Sequence, residues 1–128
     1  MAQMSNYLEE NLINLVFRNT AFATPGTVYV ALYSTDPTDA DTGTELTGDG
    51  YARQSVTFGV PTDGVSLNTA DVVFDPATAD WAAVTHIAIR DALTAGNMLM
   101  HAPLPSSVSI LNTNTFRIPT GDLSVTFA

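Results

Sequence analysis

Apolar residues at helical spacing mark one segment near the start of the chain. Leu8, Leu12, Leu15 and Val16 recur at that spacing and predict a helix over residues 6–19. Asn6 reads as its N-cap, with Glu9 in the reciprocal capping position. Glu9 and Glu10 in the first turn and Arg18 in the last complement the helix dipole. Ile13 and Phe17 widen the apolar stripe beyond one face. The helix therefore has two readings: packed wholly on its own domain, or with its extra face docked on a neighbouring subunit.

After residues 24–26 (TPG) the period changes from helix to strand. Residues 27–34 (TVYVALYS) are nearly all apolar and predict a central strand, with Tyr29, Ala31 and Tyr33 on one face. A polar loop follows at 35–50, then an alternating strand at 51–58. Short strands are predicted at 65–67, 71–75, 84–91, 97–102, 108–111, 115–118 and 122–127, with turns at 61–64 and around 95–97. The pattern is all-β: an antiparallel β-sandwich, jelly-roll or Ig-like, of about eight or nine short strands preceded by one N-terminal α-helix. The length of 128 residues suits a single domain, with 1–19 as arm and helix and 26–128 as the sandwich. No repeat of solenoid or propeller period occurs. The arm from Met1 is expected to lie against a partner, so that deleting residues 1–5 leaves a folded domain with weakened attachment.

Composition narrows the function classes. Lys+Arg is 4 and Asp+Glu 13, for a net charge of -9. All the cations are arginines: Arg18, Arg53, Arg90 and Arg117. A lysine-free acidic surface disfavours direct nucleic-acid binding and anionic membranes. With no cysteine, disulfides, thiolate nucleophiles and cysteine metal sites are excluded. No targeting segment and no run of transmembrane length is read from the chain.

Candidate chemistry is sparse. His86 and His101 lie on neighbouring predicted strands and would approach each other in a hairpin, but nothing supplies a full zinc ligand set. Asp36, Asp39, Asp41 and Glu45 offer hard oxygens to calcium, yet the spacing fails the EF-hand rule, and the same residues build solvated turns. No G-x-S-x-G elbow, P-loop or G-x-G-x-x-G occurs, so no catalytic residue and no cofactor is assigned. Trp81 reads as a core anchor, with an interface hot spot as the alternative. The candidate interface set is Tyr7, Leu8, Leu12, Ile13, Phe17 and Trp81.

Residues 7–18 (YLEENLINLVFR), 28–37 (VYVALYSTDP), 50–53 (GYAR), 79–81 (ADW), 84–89 (VTHIAI) and 118–123 (IPTGDL) together resemble a family of small virion proteins of tailed bacteriophages. The resemblance covers nearly the whole chain and consists of structural segments, so it carries no functional residue across. Members are commonly labelled tail-fibre proteins, and similar acidic β-sandwich proteins decorate or cement capsids, typically as trimers. The resemblance implies a virion location, assembly in the host cytoplasm and no enzymatic activity. Its leading expectation is a homotrimer on the outer face of the major capsid protein. The alternative is a tail component, as fibre module, adaptor or baseplate protein. A host-glycan binder is a third reading, for which Trp81, Tyr51 and Tyr7 would have to supply an exposed aromatic platform.

Overall fold

Two apolar strands form the centre of the molecule. The computed structural model describes residues 2–127; Met1, on which the sequence placed a partner contact, lies outside them. Strand β1 (Gln3–Met4) leads into helix α1 (Asn6–Phe17), followed by β2 (Val28–Tyr33), β3 (Gln54–Val56), β4 (Val65–Leu67) and β5 (Val72–Val73). The chain then forms β6 (Val84–Arg90), β7 (Met98–Val108), β8 (Arg117–Ile118) and β9 (Ser124–Thr126). The main sheet is antiparallel, in the order β1-β7-β6-β2-β3, with two-stranded β4-β9 and β5-β8 ribbons beside it. The fold is mostly β with one N-terminal helix, sandwich-like and not a closed barrel.

The period-2 alternation of β2 and β6 divides the main sheet into two unlike faces. Val30 and Leu32, paired with Ile89 and Ile87, face a core completed by Val72, Phe74, Ile110, Phe116, Ile118 and Leu123 from the ribbons and loops. The opposite face carries Tyr33, His86, Ala88 and Arg90, in register with one another across β2 and β6. Residues 35–44 cross this second face, anchored by the fully buried Pro37. The stretch expected to be a solvated loop is largely exposed, and its side chains also tie it to the sheet as a strap.

The β6–β7 hairpin turns at Ala95 and Gly96, both with positive φ, +52° and +71°. The turn is closed by the Asp91 carboxylate, which accepts from the Asn97 backbone N–H at 2.7 Å. β7 runs unbroken through Pro103 and Pro105, where the sequence predicted two separate strands. A register irregularity falls where Val84 pairs with Val108 but His86 with Pro103. The outer neighbour β1 reaches only as far as His101, so both prolines sit on open strand edge, where a missing N–H costs least.

The N-terminal arm belongs to the domain. Gln3 and Met4 pair with His101 and Met100, making the arm an edge strand. The helix cap is Ser5, one residue before the expected Asn6: its Oγ accepts from the Leu8 N–H at 3.2 Å and donates to the Met98 carbonyl at 2.5 Å. Ser5 wins because it is buried against β7, where its hydroxyl serves both bonds, while Asn6 points outward. Ser5→Ala is expected to lower stability by about 1 kcal/mol, the usual value of a cap. Deleting residues 1–5 removes both strand and cap, so it is expected to cost more than Ser5→Ala. Urea denaturation of the two variants checks this ordering, which replaces the expectation that the deletion leaves the fold intact.

Candidate interaction surface

Two of the four arginines, Arg53 and Arg90, are buried and spent on ties inside the molecule. Arg53 is nearly buried and grips Glu45 through two bonds, Nε to Oε1 at 2.8 Å and Nη2 to Oε2 at 2.7 Å. Its Nη1 also donates to the Ala92 and Ala95 carbonyls, each at 2.8 Å, which fixes the β6–β7 turn. Tyr51 donates its phenol to Glu45 at 2.7 Å and accepts from the Leu32 N–H at 3.0 Å. Burial opposes ionisation of Glu45, but the bonds from Arg53 and Tyr51 outweigh it and hold its carboxyl below the usual range. Burial pushes the Tyr51 phenol far up, so it stays protonated as a donor.

Arg90 makes the corresponding tie on the other face, donating to Asp41 at 2.8 Å, the Tyr33 hydroxyl at 2.7 Å and the Gly96 carbonyl at 2.8 Å. Arg117 pairs with Asp71 at 2.7 Å near a ribbon edge. Arg117, together with the Thr120 hydroxyl and backbone N–H, draws the Asp71 carboxyl down to about 2.

His86 and His101 do lie on one sheet face, on either side of the strap. His101 Nε2 is 2.8 Å from Asp39 Oδ1, while Asp36 Oδ1 lies 3.9 Å from His86 Nε2 and 4.0 Å from His101 Nδ1. The four carboxylates weighed for calcium thus face the chain's own side chains: Asp36 the histidines, Asp39 His101, Asp41 Arg90 and Glu45 Arg53. Among the described residues no group of three or more ligating side chains is arranged to hold a metal ion.

The six candidate interface residues separate into two groups. Trp81 is only 7% exposed; its indole N–H donates to the Asp49 carbonyl at 2.8 Å and its ring meets Tyr51 edge-on at 5.7 Å. Tyr51 in turn stacks on Phe74, and Tyr7 is half-buried edge-on to Phe22. The aromatic platform required by the glycan reading is not assembled from these residues. Leu8 is buried against Ile89, Leu99 and Met100, with Leu12 packed beside it. Ile13 and Phe17 face outward, 54% and 81% exposed. Val16, absent from the candidate set, joins them at 66%. The helical spacing alone does not separate Val16 from the inward stripe, because it follows Leu12 by one turn.

Beside α1 lies an open groove of about 220 Å3 whose lining is wholly apolar, including Leu8, Phe22, Val28, Phe58, Met100 and Phe127. No helix among the described residues is long and apolar enough to cross a membrane.

Buried arginine ties, a strapped sheet and a helix with apolar side chains in solvent describe a β-rich structural module. Residues 3–126 match the family model described as Podophage GP4 fiber I protein gp80. The chain belongs to that family, and the resemblance to small phage virion structural proteins labelled as tail-fibre proteins holds. No curated protein sequence matches the chain.

Proposed function

We propose that the chain is a non-enzymatic structural subunit of the phage particle, a β-rich module of a fibre assembly that holds its neighbours through apolar surface. The family match across residues 3–126 carries this reading. The way the molecule uses its polar groups supports it: Arg53, Arg90 and Glu45 brace turns and strap and are committed to structural bonds. Immunogold labelling of intact particles with an antibody to this chain tests the placement. Label on the fibres supports the reading, and label confined to the capsid overturns it.

Capsid decoration is the second reading, as a homotrimer on the major capsid protein. The net charge of -9 without lysine favours it, because such a surface suits the outside of a shell and not the side facing DNA. Either placement rests on apolar and hydrogen-bonded contacts, so the purified protein is expected to show no binding to duplex DNA at physiological salt. Attachment to particles stripped of it is expected to survive high NaCl, which screens surface charge and leaves buried apolar contacts largely intact. Titrations onto DNA and onto stripped particles at low and high salt check both expectations. Tight, salt-sensitive DNA binding is the contrary result.

A further inference from the structure

With no lysine, the chain offers only its four arginines to a protease that cuts after a basic side chain. The fold shuts off three of them. Arg53 and Arg90 are buried, paired with Glu45 and Asp41. Arg117 has an exposed side chain, but it lies in β8 between Phe116 and Ile118, both buried in the core. Presenting its peptide bond to an enzyme means pulling both neighbours out. Arg18 is exposed, directly follows α1, and donates through Nη1 to Asn14 Oδ1, one turn back, at 2.7 Å. The backbone on either side of it is lightly held. Leu15, Val16 and Phe17 in the last turn of α1 are exposed. Beyond Arg18 the chain has no regular structure until β2, and residues 19–21, 23 and 24 are exposed. The Thr20 N–H donates to the Asn14 carbonyl at 2.9 Å, but among the described residues no backbone–backbone hydrogen bond holds residues 21–25.

We infer that the peptide bond between Arg18 and Asn19 is a processing site for a serine protease of trypsin-like specificity, and the one bond of the folded chain that such an enzyme reaches. The cut adds one water across the bond and leaves a carboxylate on Arg18 and an ammonium on Asn19. A protease needs an extended stretch on both sides of the bond it cuts. The stretch after Arg18 is already irregular, and before it only the last turn of α1 has to unwind. Local opening of that kind costs far less than the wider unfolding needed to expose Arg53, Arg90 or the bond after Arg117. The cut leaves the arm and helix in place, because their anchors all precede it. β1 pairs with β7, Ser5 is bonded to the Met98 and Leu99 carbonyls, and Leu8 is buried against Ile89, Leu99 and Met100. Residues 1–18 thereby become a separate peptide held without a covalent link. The inference does not depend on whether fibre or capsid holds the chain.

Limited digestion of the free, full-length chain with trypsin, followed by intact mass and size-exclusion chromatography, tests it. Digestion is expected to stop at two fragments, 1–18 and 19–128, that elute together under native conditions and separate in urea. Arg18→Gln is expected to slow the loss of intact chain at least about tenfold, because cleavage must then wait for rarer openings elsewhere. Position 18 is exposed, so the circular dichroism melt of Arg18→Gln should match the parent. A first cut after Arg53, Arg90 or Arg117 overturns the inference. So does a chain that resists trypsin altogether, an Arg18→Gln variant cut as fast as the parent, or a pair of fragments that part without denaturant.

Discussion

Val30→Asp and Leu32→Asp are each expected to abolish soluble, cooperatively unfolding protein. Both side chains are fully buried, 0% exposed, in the middle of the central strand β2. They pack with Ile87, Val84 and Phe74 in a core whose polar hydrogens, those of Tyr51 and Trp81, are already committed to Glu45 and the Asp49 carbonyl. Such burial costs several kcal/mol, in a domain whose whole stability is of order 5–15 kcal/mol. Thermal melts and size-exclusion profiles of the two variants are the check, and native-like melting of both would contradict the placement of β2. Ala31, on the opposite face, is also fully buried, so the whole middle of the strand is intolerant of charge.

Arg53→Met is expected to produce the second largest loss, about 3 kcal/mol, typical of removing one partner from a buried ion pair. The substitution leaves the Glu45 carboxylate with only the Tyr51 phenol and deprives the Ala92 and Ala95 carbonyls of their donor. Arg53→Lys is expected to recover little, because an ammonium group cannot make the two-point grip on Glu45 and reach the turn at the same time. The pair also sets a pH response. Glu45 titrates lower in the folded chain than its ordinary 4.5, and Asp71 falls from 3.8 to about 2. A carboxyl depressed by folding gives its full contribution above its unfolded value and loses it as pH falls through the folded one. Stability from these groups should therefore be level from pH 8 to about 5 and decline from about 4.5 towards 2. Urea midpoints across that range check the direction, and the decline should be shallower in Arg53→Met, where Glu45 has lost its partner.

The parts of this fold legible in the sequence are those where an apolar run, an alternation or a helical spacing continues long enough to register. β2, β6 and α1 fall where their patterns predict, because each pattern, an apolar run in β2, alternation in β6 and helical spacing in α1, holds over at least six residues. The two-residue strand β1 is too short to show a period and exists only through its pairing with β7. Pro103 and Pro105 hide the length of β7, since a proline normally ends a strand unless that strand lies at an edge. The predicted strand at 51–58 shrinks to Gln54–Val56 because Tyr51 and Arg53 leave the ladder to hold Glu45.

The surface was legible to a similar degree. Ile13 and Phe17 stood out as surplus apolar positions on a helix and are indeed exposed. Tyr7, Leu8 and Leu12, named with them, turn towards Phe22, Ile89 and Met100 of their own domain. Which side of a broad apolar stripe meets the sheet is decided by tertiary packing, and the helical period alone leaves it open. The strap shows the same limit. Its carboxylates look like turn chemistry in sequence because their partners, Arg90, His86 and His101, lie about fifty residues or more further along the chain.

Quantitative mass spectrometry of gradient-purified phage particles, before and after the fibres are sheared off, tests the central claim most directly. A structural subunit of a fibre is expected at a fixed number of copies per particle, with those copies lost together with the fibres. Absence of the chain from purified particles, with abundant chain free in the lysate of infected cells, would contradict a structural role in the virion.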